Sequence, residues 1–209
     1  MNTSNGHVFL IDDDNSMRLS LSRMLVELGF SVQEFSSAQD YLDHSLPISP
    51  ATILLDMTMP DMTGLELQEK LIELGRQTPI VFISGQSHPH QIVKGLKNGA
   101  FDFLFKPFNL EELLTALNSA IQYDQNQLKK VTSDVHARKR FDSLTAREKE
   151  ACHLLVKGLS NKEIAQQLGI TDATIKIHKA RVLQKMQLDS IPTLVKVYLE
   201  ADLNKSADT

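Results

Sequence analysis

Short apolar runs alternate with amphipathic stretches along the first 120 residues. Runs at 8–11, 32–35, 53–55, 80–83 and 101–105 have the length and composition of strands. Apolar positions recurring every three or four residues predict helices over 16–28, 38–44, 64–74, 90–98 and 110–121. In the 64–74 segment the predicted apolar face is Leu65, Leu67, Leu71 and Ile72. Five strand–helix units in this length imply a parallel sheet covered by helices on both faces.

The pattern changes at 123–140, which is polar and free of Gly and Pro. Leu114, Leu117, Ile121, Leu128, Val131 and Val135 fit a heptad with Asp124 as a gap. A long signalling helix, a dimer coil and a solvated, partly helical linker all remain open for this helical or extended linker. From Leu144 onward only helix signals occur. Thr145 with Glu148 and Ser160 with Glu163 have capping-box spacing, Gly158 and Gly169 stop two helices, Thr171 caps a third, and Pro192 opens a fourth. The expected organisation is therefore 1–122, a linker 123–140, and 141–209.

Charge divides along the same line. Residues 1–120 hold 15 Asp/Glu and 7 Lys/Arg, whereas 121–209 hold 11 and 15. An acidic part joined to a basic part implies two different partners. No apolar run reaches the roughly 18–20 residues of a membrane span, and the start of the chain lacks the pattern of a secretory signal. The single Cys152 lies among helical core positions and reads as a core thiol. A cytoplasmic protein without membrane contact is the expectation.

Open parallel sheets place their sites beyond the carboxyl ends of the strands. Asp12, Asp13 and Asp14 follow the first strand, Asp56 the third, Ser84, Gly85 and Gln86 the fourth, and Lys106 and Pro107 the fifth. Alone, the three aspartates would be a solvated helix cap and Lys106 a surface lysine. Together, at successive strand ends, they form an oxygen-rich site suited to Mg²⁺ or Mn²⁺. Such a site would bind a phosphoryl group, with Lys106 as a point charge, Ser84 as a donor and Asp56 as a nucleophile able to form an acyl phosphate. His88 and His90 lack a second ligand pair and read as loop residues.

The stretches FLIDDDNSMR, ILLDMTMPDMTG, PIVFISGQ, NGAFDF and KPF resemble those of two-component receiver domains. The resemblance implies a flavodoxin-like α/β fold, Asp56 as phosphoacceptor, and Mg²⁺ on Asp12, Asp13, Asp56 and the backbone carbonyl of Thr58. It further implies phosphoryl-binding or switch roles for Ser84, Gly85, Phe103, Lys106 and Pro107, the last as a cis proline. Thr58 and Gln86 stand where the family varies its dephosphorylation rate.

In the basic part, NKEIAQQLGITDATIKIHKARVLQKM has helix-turn-helix spacing: Ala165 is small at the crossing, Gly169 lies in the turn, and Ile175 anchors the second helix. Ile175, Val182, Leu183 and Met186 share its buried face, which turns Lys176, Ile177, Ala180 and Gln184 outward. Lys176 could reach guanine edges and Ile177 and Ala180 thymine methyls, while His178, Lys179 and Arg181 flank them as phosphate contacts. Thr174, in the first turn, joins this candidate set. Residues 141–203 resemble the all-α, four-helix DNA-binding domain of LuxR/FixJ/NarL-type regulators, which implies major-groove reading by 172–186. The resemblance also implies dimer contacts through Ile191, Leu194, Val195 and Tyr198.

The expected function is a DNA-binding response regulator, not an enzyme in the ordinary sense. A histidine kinase would phosphorylate it, a homodimer would follow, and double-stranded DNA and RNA polymerase would be its partners. Two other classes compete. An aspartyl-phosphate phosphatase needs a second Asp where Thr58 stands and a nucleophile after the first strand, and both are missing. A transcription factor gated by a ligand or partner would leave the acidic set unexplained.

Overall fold

A computed structural model describes residues 5–44, 48–85 and 88–204. Gln86 and residues 205–209 of the expected C-terminal domain lie outside the described residues. The chain divides into two compact units, Met1–Leu128 and Lys129–Thr209.

The first unit is an α/β layer structure. Its strands are β1 (His7–Ile11), β2 (Ser31–Phe35), β3 (Ala51–Asp56), β4 (Ile80–Ser84) and β5 (Asp102–Phe105). All neighbours pair in parallel, in the order β2-β1-β3-β4-β5. Helices α1 (Asn15–Glu27), α2 (Ala38–Asp43), α3 (Gly64–Glu73), α4 (Pro89–Lys97) and the start of α5 (Leu110–Asp142) alternate with them. Every residue of β3 is buried, as a central strand covered on both faces requires. Phe9, Ile53, Leu55, Phe82 and Leu67 pack on one face of the sheet, and Leu10, Leu54, Val81, Ile83 and Leu117 on the other. The predicted face of α3 needs one correction. Leu65, Leu67 and Leu71 are buried, but Ile72 is 52% exposed, and Gln68 takes the inward position instead.

The polar segment 123–140 is helical, as the continuation of α5. Its heptad stripe does not form one face of one core. Leu117 and Ile121 are buried in the first unit, whereas Leu128, Val131 and Val135 are 46–58% exposed. Asp124 interrupts the stripe for a visible reason: its Oδ2 accepts from Ser49 Oγ at 2.6 Å and from the Ala51 amide at 2.9 Å. This carboxylate satisfies backbone at the entry to β3.

The second unit contains the last turns of α5 and helices α6 (Ala146–Val156), α7 (Asn161–Leu168), α8 (Asp172–Met186) and α9 (Ile191–Glu200). Thr145–Glu148 and Ser160–Glu163 form full capping boxes, and Thr171 caps α8 through the Thr174 amide. Gly169 closes α7 at φ +66°, a left-handed conformation that glycine adopts without a Cβ penalty. Ala137 and Phe141 of α5 join Cys152, Val182, Leu194 and Tyr198 in the core. Burial pushes the Cys152 thiol up to about 12, which leaves it a protonated core group.

Candidate phosphoryl and nucleic-acid sites

The end of β3 carries Asp56, only 6% exposed, with β1 on one side and β4 on the other. Its Oδ2 accepts the Thr58 amide at 2.7 Å, and its Oδ1 accepts Lys106 Nζ at 2.7 Å. Lys106 follows β5, so its side chain reaches past β4 to Asp56. The same ammonium lies 3.4 Å from Asp12 Oδ2, and Asp12 is 1% exposed. Asp12 Oδ1 accepts the Asp14 amide at 2.8 Å, and Asp14 caps α1 through Ser16 and Met17. The tight path from β3 into α3 depends on Gly64, where a Cβ would meet the Asp56 carbonyl oxygen at 2.6 Å and the Phe82 ring at 3.0 Å.

Two buried carboxylates thus share one lysine. Burial pushes the Asp12 carboxyl up, against the opposing pull of Lys106 and the Asp14 amide. Burial also works against the Lys106 charge, but the hydrogen bond and charge of Asp56, joined by Asp12, hold the ammonium above its ordinary range. An all-oxygen set with a surplus negative charge fits a hard divalent cation.

Other predicted residues fall around this centre. Ser84 is 1% exposed and ends β4, one residue beyond Ile83, the register partner of Asp56. Its carbonyl accepts the Lys106 amide at 2.8 Å. Gly85 is exposed, and a Cβ there would meet nothing nearer than Lys106 at 3.9 Å. The Lys106–Pro107 peptide is cis. Phe103 is half-buried, with its ring stacked on Phe82 at a centroid distance of 4.8 Å. Two expected ligands are less complete. Asp13 is exposed, and among the described residues no three His, Cys, Asp or Glu side chains converge as a metal-ligand group. What Thr58 contributes to Asp56 is its amide.

On α8, Ile175, Val182 and Met186 are buried and Leu183 is half-buried, while Lys176, Ile177, Ala180, Arg181 and Gln184 are exposed. Ile177 is 53% exposed, an apolar side chain on a polar surface. Thr174, His178 and Lys179 are half-buried. Lys176 forms an exposed pair with Asp172 at 2.9 Å. Lys185, one of the basic residues of this helix, turns away from the outward face: its Nζ sits 2.7 Å from Glu148, whose side chain is 4% exposed. That pair ties α8 to the capping box of α6, and the T-x-x-E signal shows only half of it.

The expected dimer residues need a correction. Leu194 and Tyr198 are 0% and 6% exposed and belong to the core of the second unit. Tyr198 Oη hydrogen-bonds His153 Nδ1 and packs edge-on against Phe141. Ile191 and Val195 are half-buried, and the exposed apolar side chain on α9 is Leu199, 67% exposed.

Comparison with known proteins finds two family matches in different parts of the chain. Residues 8–118 match the response regulator receiver domain, and residues 142–198 match the luxR family of bacterial regulatory proteins. The chain is 36% identical to the response regulator protein TmoT of Ectopseudomonas mendocina, over 94% of this chain and 90% of that one. It is also 36% identical to the transcriptional regulatory protein FixJ of Bradyrhizobium diazoefficiens, over 96% and 98%. The solved structure of the response regulator StyR shares 36% identity at a TM-score of 0.79, covering 93% of this chain and 98% of that one.

Proposed function

Because the chain belongs to the two-component response regulators that carry a LuxR-type DNA-binding domain, we propose that Asp56 is its phosphoacceptor and a histidine kinase its phosphodonor. The observation that carries this reading is the Lys106 ammonium 2.7 Å from Asp56, with Asp12 as the surplus carboxylate beside it. A carboxylate oxygen of Asp56 attacks phosphorus, the bond to the donor breaks, and the donor leaves with the electron pair. The Thr58 amide orients the attacking carboxylate. Lys106 neutralises charge on the transferring oxygens, Ser84 donates to one of them, and Gly85 leaves room beside them. Asp12, Asp13 and the Thr58 carbonyl would hold Mg²⁺ or Mn²⁺ beside Asp56, and the ion would supply further charge stabilisation there. Pro107 fixes the chain after Lys106.

Once Asp56 is phosphorylated, Ser84 shifts toward it and Phe103 repacks, and the surface over 90–121 then favours a homodimer. The domains divide as 1–122, 123–140 and 141–209, and two paired C-terminal domains read double-stranded DNA. Lys176, Ile177 and Ala180 face base edges, and Thr174, His178, Lys179 and Arg181 hold the backbone. On α9, Ile191, Val195 and the exposed Leu199 supply the apolar contact between copies. Bound at a promoter in the cytoplasm, the dimer acts on RNA polymerase. Among the described residues no helix is long and apolar enough to cross a membrane.

The deciding experiment is Asp56→Asn. The variant should take no label from acetyl phosphate and should lose donor-stimulated DNA binding while keeping its thermal stability. Robust labelling of the variant refutes the assignment. DNA binding by the variant that responds to a small ligand supports gating without phosphorylation instead.

A further inference from the structure

Gly95 lies in the last turn of α4 but still inside the helix, where glycine weakens it and needs a packing reason. The reason is Phe103. A Cβ at Gly95 would come within 3.0 and 3.1 Å of the far edge of the Phe103 ring and 3.3 Å of Leu65. Phe82 is stacked on the same ring, and Phe82 in turn touches the space that Gly64 leaves open beside Asp56. Gly95 is thus the floor on which the Phe103 ring rests.

That floor is fastened from α3. Gln68 is 1% exposed, and its Nε2 donates at 3.0 Å to the Gly95 carbonyl. The same carbonyl accepts the Ala100 amide at 3.0 Å, so Gln68 satisfies the second lone pair of a carbonyl at the C-terminal end of α4. One residue on, Glu69 pairs with Lys94 at 2.6 Å. Consecutive side chains of α3 thereby hold consecutive residues of α4. The buried bond is the costly one to break, because the Gln68 Oε1 already has no hydrogen-bond partner and the Nε2 would then join it.

We infer that Gly95 and Gln68 are positioning residues for the switch: they form the seat of Phe103 and set how far phosphorylation of Asp56 is converted into dimerisation and DNA binding. The inference rests on the functional reading above. Neither residue touches the phosphoryl site, so neither governs the rate at which Asp56 takes up a phosphoryl group. Their effect falls on the balance between the two packings of the ring.

The test uses the full chain with Gly95→Ala and, separately, Gln68→Met, which keeps the volume and removes the donor. Acetyl phosphate labelling of Asp56 should stay within about twofold of wild type, while donor-stimulated dimerisation and DNA binding should fall about tenfold in Gly95→Ala and less in Gln68→Met. Alanine is the better helix former, so a site without steric conflict would melt higher and respond normally. Wild-type response in both variants, or labelling and response falling together with the melting temperature, overturns the inference. If wild type takes label but shows no donor-stimulated DNA binding, the functional reading fails and takes the inference with it. Normal wild-type behaviour beside an unaffected variant overturns the inference alone.

Discussion

Each unit holds a lysine 2.7 Å from a buried carboxylate: Lys106 with Asp56 in the first, Lys185 with Glu148 in the second. The two contacts are alike in length and differ in what surrounds them. Glu148 is fully provided for. It accepts the Thr145 amide as half of a capping box, pairs with Lys185, and its carboxyl is held below the usual range by that lysine first and by the cap second. Lys106 has two carboxylates to neutralise and can neutralise one, and burial pushes Asp12 the opposite way, up. A buried ion pair is therefore weak evidence of function by itself. Charge left over after the pairing is the feature that sets the first unit apart, and a surplus carboxylate of this kind suits a hard divalent cation.

The sharpest way to break this comparison is to remove both lysines in turn. Lys106→Met should cost about 100-fold in Asp56 labelling, since a lost transition-state charge contact is worth about that much. Lys185→Met should leave labelling unchanged and lower the melting temperature. A Lys106→Met protein labelled at the wild-type rate would place the charge balance elsewhere.

Removing the carboxylates should invert the sign of the stability effect. Glu148→Ala takes away a cap and an ion pair that solvent partly screens, a loss of about 2 kcal/mol. Asp12→Asn keeps an acceptor for the Asp14 amide and relieves a buried surplus charge, so the protein should gain about 1 kcal/mol without divalent cations. Thermal unfolding of the two variants side by side reads both signs. Destabilisation by Asp12→Asn would mean that its charge is already balanced.

These contrasts also explain what the sequence could and could not disclose. Asp12, Asp56, Ser84 and Lys106 were legible because strand ends in a parallel sheet converge whatever the details of packing, and each apolar run stops on the residue in question. The buried face of α8 followed from periodicity alone. Helix α9 was harder: the resemblance implied dimer contacts for Leu194 and Tyr198, but both share a core with Phe141, far back on α5, and the Tyr198 ring packs on Phe141 and on His153 of α6. Lys185 looks in sequence like any other basic residue of α8, because nothing near it announces Glu148, 37 residues earlier. Gly95 did leave a signal, a lone glycine inside QIVKGLK, and Gln68 none, since a polar residue on an amphipathic helix ordinarily faces water.

Acid should separate the units as well. A carboxyl whose folded pKa is lowered adds stability above its unfolded value and loses it as pH falls through the folded one. Glu148 starts from 4.5 and is lowered, so its contribution to the second unit should be complete at neutral pH and fade below about pH 4.5. Asp12 is raised from 3.8, so its strain is relieved as pH falls through its folded value toward 3.8, and acid favours the folded first unit there. Native-state hydrogen exchange from pH 7 down to about pH 3 should show α6 and α8 losing protection before β1 and β3. Loss of protection in the reverse order would sink the contrast.

The smallest effect concerns a lysine that belongs to neither kind of pair. Lys176 is 66% exposed beside Asp172, an i,i+4 contact on open helix surface. Such pairs contribute little, and Lys176→Ala should change stability by less than about 0.5 kcal/mol. Its weight lies in the outward direction it shares with Ile177 and Ala180. If it reads a base edge, the variant should bind its operator more weakly by about 1–3 kcal/mol and tolerate substitution at one base position. If it holds a phosphate, binding should weaken equally on all sequences and the salt slope should fall by about one. A titration of operator and scrambled DNA at two salt concentrations separates these outcomes. A variant unchanged in both would reduce Lys176 to the surface pair with Asp172.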